Sequence, residues 1–246
     1  MHPMSLVKIP VILATTPSYW QAVSPPPAAR TTEAAQGEKP QLSTLEKGFG
    51  QYVPFLSKIY KAEHTLSMLI EIILILAYKT PNSPISRAIL SKLSPRTRAG
   101  LAAVGVTREF LAGAVLCAAG ALIRLASYKE MGKLFTFHLT LRDSHKLITT
   151  GPYAHVRHPS YTGFWVLLTG TSLMSFGRGS VFRECGWLQT TAGRAFMACY
   201  LFERISQALH LIPRSYHEDV FLKQQFGEEW KEWARRTPRR FIPYVW

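Results

Sequence analysis

The chain has 246 residues, enough for one sizeable domain or one bundle of membrane helices. Apolar residues make up 47% of it and charged residues only 18%, against about 25% in an ordinary soluble domain. Lys and Arg outnumber Asp and Glu by 29 to 15, a net charge of +14. These cations flank apolar runs rather than forming one stripe, and no zinc-finger or RNA-binding signature is present, which favours lipid headgroups over nucleic acid as partner.

Residues 1–23 hold one lysine and a short apolar stretch broken by Pro10 and Pro17. The pattern is a poor signal peptide and reads as a short N-terminal membrane segment. Residues 24–50, rich at first in Pro, Ala and Thr, read as a linker to the main domain, residues 51–246. The most apolar window is TLSMLIEIILILAY at 65–78, which contains Glu71 and becomes long enough to span when extended back through Tyr52. Residues 79–100 read as a basic loop. Residues 106–127 form a second span, with Gly113 and Gly120 available for close helix contact and Arg124 near its end, placed to snorkel or to face a polar site. Residues 160–176 form a third, short against the roughly 17–25 residues a crossing needs.

Residues 190–212 are helical by pattern, but Arg194, Glu203, Arg204 and His210 interrupt the apolar run, which requires a helix packed in a bundle with Glu203 paired to a base. A separate amphipathic helix is expected from Pro213, in its first turn, to about Arg236. Leu222, Phe226, Trp230 and Trp233 recur along it at helical spacing, and Gly227 loosens its middle. Cys117 and Cys199 sit in apolar runs and read as small core residues; together with Cys185 they match neither a zinc site nor a disulfide framework. Strand alternation is weak throughout. The expected fold is all-α, a polytopic transmembrane helix bundle of four to five membrane segments.

The densest group of unusual residues is HKLITTGPYAHVRHPSYTG, His145 to Gly163. Gly-Pro and His-Pro force turns, and a helix starting after Pro159 leaves backbone donors free for a ligand. His155 and His158 form one HxxH pair, which lacks the acidic or His partners a metal site needs. Taken singly, Arg157 reads as an interfacial residue, Tyr153 and Tyr161 as belt aromatics, and Gly151 and Gly163 as turn and packing residues. Taken together they read as a polar ligand site at the mouth of a bundle. Downstream, Arg214 and Glu218 lie four residues apart on one helix face, either as a surface ion pair or as part of that site, and Asp219 adds a second carboxylate.

HKLITTGPYAHVRHPSYTGF, followed by R-x-x-x-E-D-x-x-L-x-x-x-F-G-x-x-W-x-x-W from Arg214, is similar to the isoprenylcysteine carboxyl methyltransferases. The resemblance covers residues 128–176 and 213–243, taken as the catalytic core 128–243; its RHPxYxG element also occurs in phospholipid methyltransferases and sterol reductases. The resemblance implies a multi-pass enzyme of the endoplasmic reticulum membrane, its site facing the cytosol. It implies methyl esterification of the C-terminal prenylcysteine carboxylate of CaaX-processed proteins, with S-adenosyl-L-methionine as donor and no metal. The C-terminal amphipathic helix would close the cofactor pocket. Cosubstrate contacts carry over to His145, Lys146, Leu147, Ile148, Tyr153, His158, Pro159, Ser160, Tyr161 and Glu218. Arg214 would bind the substrate carboxylate, with Arg157 a further catalytic candidate beside Arg214 and Glu218. His138 and Asp219 depart from the family pattern, and the charged 194–210 stretch is less apolar than the family's corresponding span. A small-lipid methyltransferase, a sterol-reductase-like enzyme and an inactive membrane scaffold are the alternative readings.

Overall fold

The computed structural model describes residues 4–24, 44–93, 98–135 and 146–243. Among them every regular element is helical: α1 (Met4–Val23), α2 (Thr44–Lys79), α3 (Pro84–Leu93), α4 (Arg98–Ala103), α5 (Arg108–Met131), α6 (Pro159–Phe176), α7 (Val181–Glu184) and α8 (Thr191–Arg236). Short 3₁₀ turns occupy Gly132–Leu134, Gly151–Ala154 and Trp187–Gln189.

Helix α2 buries polar side chains beside the apolar Met68, Leu74 and Ile75, and exposes many apolar ones. Phe55, Ile59, Leu66, Leu69, Ile73 and Leu76 are exposed along it, whereas His64, Ser67 and Glu71 are buried. An exposed apolar surface with polar groups drawn inward is the pattern expected where hydrocarbon replaces water. Among the described residues, α5 alone is long and apolar enough to cross a membrane. Helices α2 and α6 occupy the other two strong spans read from sequence but are diluted by charges in one case and by Ser, Thr and Gly in the other.

Three boundaries differ from the sequence reading. The 79–100 stretch contains helices α3 and α4 rather than only a loop; Pro84 opens α3, and its Ile89, Leu90 and Leu93 pack against a core of Leu74, Ile75, Leu101, Val104, Val181 and Cys185. Helix α2 begins at Thr44, inside the expected linker. No helix boundary falls at Pro213. Instead α8 runs through it, with the Ser215 hydroxyl donating to the Ile212 carbonyl at 2.7 Å, and breaks at Gly227, whose φ of 52° and ψ of −116° are not helical.

The chain divides into two compact units. The first comprises Met1–Tyr19, Lys61–Ala119 and Val166–Ser206. Within it the Lys8 ammonium is fully buried, paired with Glu71, donating to the Gly179 carbonyl at 2.8 Å and lying 4.5 Å from the centre of the Phe110 ring. Arg204 is held by Glu63 at 2.6 Å, by Glu203 at 3.7 Å and by the Tyr200 ring, which accounts for Glu203 and Arg204 inside the 190–212 stretch. A Cβ on Gly113 would come within 2.8 Å of the Gly170 carbonyl, so α5 and α6 touch backbone to backbone there. Cys117 is buried as expected; Cys199 instead lies exposed on α8, on the side that also exposes Phe202.

The second unit comprises Trp20–Tyr60, Gly120–Trp165 and Gln207–Trp246. Arg124 is buried in it, donating to the Ala22 carbonyl at 2.7 Å and the Ser160 carbonyl at 3.0 Å, bonded to the Tyr128 hydroxyl, and stacked near the rings of Tyr128 and Phe164. Of the two sequence expectations for Arg124, the polar site is the one realised.

Candidate active site

All the described candidate site residues belong to the second unit. They lie on three pieces of chain: the segment from Lys146 to Thr162, α8 from Arg214 to Trp233, and the strap Thr237–Phe241.

Local chemistry shapes the first piece. Gly151 sits at φ +59°, a backbone that other residues adopt with strain, and a Cβ there would meet the Glu130 carboxylate at 2.9 Å. The Thr150 hydroxyl bonds that same carboxylate. Pro152 then fixes the 3₁₀ turn, closed by the Tyr153 amide to the Thr150 carbonyl at 3.1 Å. Pro159 opens α6 where its missing N–H costs nothing. The Tyr161 and Thr162 amides both donate to the His158 carbonyl, so these two donors at the helix start are not free for a ligand, contrary to the sequence expectation. Gly163 follows because a Cβ there would lie 2.9 Å from the Gly120 carbonyl and from Arg124 Cγ.

The strap holds this turn by its backbone. The Arg157 amide donates to the Arg239 carbonyl at 2.9 Å, the His158 amide to the Arg240 carbonyl at 2.8 Å, and the Thr162 hydroxyl to the Phe241 carbonyl at 2.6 Å. The Arg157 guanidinium donates to the Thr237 and Pro238 carbonyls at 2.9 and 2.8 Å and to Asp219 Oδ2 at 3.2 Å. Asp219 also meets His158 Nε2 at 3.1 Å and accepts from Arg240 Nε at 2.9 Å. One carboxylate thus ties the turn, the helix and the strap together.

Beside it runs a second chain of polar contacts. Arg214 Nε donates to the Tyr161 hydroxyl at 3.0 Å, which donates to Glu218 Oε2 at 2.8 Å, and that oxygen lies 3.5 Å from His158 Nδ1. The His158 and Tyr161 rings stack, with centroids 5.5 Å apart. Arg214 and Asp219 are buried, whereas the Glu218 side chain is 30% exposed. Below these polar groups, Leu147, Tyr153 and Trp233 form an apolar cluster joined by Met131, Ile148, Leu222, Phe226 and Trp230.

Residues 113–208 match the family model described as the isoprenylcysteine carboxyl methyltransferase family. The rice protein named probable protein-S-isoprenylcysteine O-methyltransferase (Oryza sativa subsp. indica) is 32% identical over 135 residues, 54% of this chain and 60% of its own. Protein-S-isoprenylcysteine O-methyltransferase B of Arabidopsis thaliana is 30% identical over 135 residues, 54% and 58% of the two chains. The human protein-S-isoprenylcysteine O-methyltransferase is 27% identical over 147 residues, 57% and 43%. Residues 113–208, less than half of the chain, are thus similar to the isoprenylcysteine carboxyl methyltransferase family. It spans about 60% of the length of the two plant relatives.

The family resemblance selected twelve site residues, and the structure describes eleven; His145, like the departure at His138, lies outside the described residues. Arg157, His158, Tyr161, Arg214 and Glu218 are joined by the contacts above, together with Asp219. Pro159 and Ser160 are buried in the first turn of α6, Leu147, Ile148 and Tyr153 lie in the apolar cluster, and Lys146 is exposed. His155, the other half of the HxxH pair, is exposed.

Sequence reasoning missed the strap. Arg240, Thr237 and Pro238 have direct roles in holding the turn, and the available signal was the basic run RRTPRR, of which only the first two arginines fell in the expected amphipathic helix. It also left open the part Arg124 plays in fixing the Ser160 carbonyl.

The charges settle each other. Burial disfavours a charged His158, but hydrogen bonds and opposite charge from Asp219 and Glu218 outweigh it and hold its pKa above 6.5. Burial likewise opposes ionisation of Glu218 and Asp219, and the His158 hydrogen bond and charge, helped by Arg214 on one and Arg240 and Arg157 on the other, overcome it and hold both below ordinary carboxylate values. Tyr153 is pushed up by burial and remains a neutral phenol. The site is therefore a histidine whose charged form is favoured, set between two carboxylates and bordered by Arg214.

Proposed function

We propose that this protein is an S-adenosyl-L-methionine-dependent methyltransferase that esterifies the C-terminal prenylcysteine carboxylate of CaaX-processed proteins. The observation that carries the reading is the Arg214–Tyr161–Glu218–His158 chain of contacts, which joins a cation suited to a carboxylate and an acceptor suited to ribose or amino groups at one turn. In support, the matched family and the rice, Arabidopsis and human relatives carry that activity in their names.

In this reading Arg214 grips the acceptor carboxylate, its planar fork matching the two oxygens. Glu218 accepts hydrogen bonds from the cosubstrate. His145 to Ile148, Tyr153 and the turn from His158 to Tyr161 form the rest of its seat, with the C-terminal half of α8 closing the pocket. Arg157 donates to Asp219 and to the strap and acts as a positioning residue. S-adenosyl-L-methionine would supply an electrophilic methyl on a sulfonium; the carboxylate oxygen takes the methyl and the sulfur keeps the electron pair. The acceptor is already ionised near neutral pH, so no general base is required. Two opposite charges become neutral in the step, which a water-poor site favours. Alignment of the partners is the main task left to the protein, and it can supply up to about 7–11 kcal/mol.

The same reading places the chain in the endoplasmic reticulum membrane as a multi-pass bundle, with α2, α5, α6 and the first part of α8 crossing and the site facing the cytosol. A prenylated acceptor partitions into lipid by roughly 0.8 kcal/mol per buried CH₂ and would enter sideways between helices while the polar cosubstrate arrives from water. The test is transfer of label from S-adenosyl-L-methionine to farnesylated cysteine by the purified chain in lipid nanodiscs. Methyl ester formation on that acceptor is expected. Cosubstrate binding without transfer to farnesyl- or geranylgeranyl-cysteine would overturn the substrate assignment.

A further inference from the structure

Trp230 and Trp233 lie three residues apart in α8 and both enter the apolar cluster beside Leu147 and Tyr153. Their indole nitrogens have different fates. Trp233 Nε1 donates to the Tyr153 carbonyl at 3.1 Å and so helps hold the turn. Trp230 Nε1 is buried and has no hydrogen-bond partner. Indole nitrogen is a donor only, and buried donors are nearly always satisfied. An orphan of this kind on the wall of a ligand site is a donor awaiting an acceptor.

Its surroundings limit what that acceptor can be. Leu147, Ile148, Leu222, Phe226, Tyr153 and Trp233 belong with it to one cluster of aliphatic and aromatic side chains. The polar groups suited to ribose, an amino group or a carboxylate, namely Glu218, Tyr161 and Arg214, make their contacts with one another instead. A flat aromatic heterocycle with ring-nitrogen acceptors fits the cluster; a charged or freely solvated group does not.

We propose that Trp230 is a cosubstrate-binding residue whose indole N–H donates to a ring nitrogen of the purine of S-adenosyl-L-methionine. This rests on the reading of the site as a methyl-donor site. It gives Trp230 a role in purine recognition, distinct from the role of Trp233 in holding the turn.

The experiment uses the full chain in nanodiscs and isothermal titration with S-adenosylhomocysteine and its 1-, 3- and 7-deaza analogues. The variant Trp230→Phe keeps an aromatic ring and deletes the N–H. It is expected to bind S-adenosylhomocysteine about five- to tenfold more weakly, as loss of one ligand hydrogen bond predicts. One deaza analogue should bind the native chain correspondingly more weakly, with no further loss in the variant. Unchanged affinity in the variant, while the native chain binds S-adenosylhomocysteine, overturns this inference and leaves the methyl-donor reading standing. An equal loss for every deaza analogue overturns the purine assignment and makes the residue structural. If the native chain fails to bind S-adenosylhomocysteine, both readings fall.

Discussion

Asp219→Asn isolates the carboxylate that joins the turn, α8 and the strap. The native side chain faces Arg157 Nε at 3.2 Å, His158 Nε2 at 3.1 Å and Arg240 Nε at 2.9 Å. The Arg157 and His158 side chains are nearly fully buried, whereas that of Arg240 is 22% exposed. Removing one member of a buried ion pair costs roughly 3–5 kcal/mol. Asparagine keeps one acceptor oxygen and Arg240 retains some solvent, so the loss falls at the lower end, about 3 kcal/mol. For a chain of this size that corresponds to about 6–12 °C in melting temperature. The assay is thermal unfolding of the chain in nanodiscs, followed by intrinsic fluorescence.

The pH dependence gives the same experiment a second readout. The folded pKa of His158 lies above its ordinary 6.5, so its contribution to stability is full below about pH 6.5 and is lost as pH rises through the folded value. The folded pKa values of Asp219 and Glu218 lie below 3.8 and 4.5, so their contributions are full above those values and are lost as pH falls through the folded ones. The native chain should therefore be most stable between about pH 4.5 and 6.5, and lose stability on the alkaline side as His158 deprotonates. In Asp219→Asn that alkaline loss should shrink, because half of the anionic support for the imidazolium is gone. A variant with native melting temperature and native pH slope would refute the reasoning.

Under the proposed methyl transfer, Arg214→Ala should lower kcat/KM for the prenylcysteine acceptor about 10- to 150-fold, the range for loss of a hydrogen bond to a charged group; cosubstrate affinity, read by calorimetry, should change far less. Gly151→Ala forces an L residue into φ +59° against Glu130 and should cost about 1–3 kcal/mol in thermal unfolding, with activity falling as the turn shifts. Lys8→Met leaves Glu71 buried without its partner and should cost about 3–5 kcal/mol, whereas adding Glu71→Leu should recover most of it; a double variant as unstable as the single one would show that the pair is not the cause.

The legible parts of this molecule were those set by short-range rules. Helix α5 follows from an unbroken apolar run, α6 starts at Pro159 because proline suits a first turn, and the approach of α5 to α6 was marked by Gly113 and Gly120. The four-residue spacing of Arg214 and Glu218 put both on one helix face and hence both within reach of Tyr161. Where packing overrides local chemistry, the reading from sequence missed. Proline predicts a start at residue 213, yet Leu211, Arg214 and Ser215 are buried around it, and a helix anchored on both sides keeps its path despite one missing amide bond. Basic residues 79–100 looked like a loop because charge dominates their composition, while the few apolar side chains that dock α3 decide its structure.

The strap shows a further reason why a site can be half visible. Its backbone carbonyls at Thr237, Pro238, Arg239, Arg240 and Phe241 are what hold Arg157, His158 and Thr162. A carbonyl is the same in every residue, so no side-chain motif announces it, and only the bend after α8 brings five of them to the turn. Arg240 is the exception, since its side chain repeats from outside the job Arg157 does from within: both donate to Asp219 Oδ2. Because the two share one oxygen, losing either should leave the other in place, and losing Asp219 should release both. That asymmetry puts Asp219, rather than either arginine, at the centre of the architecture that positions His158.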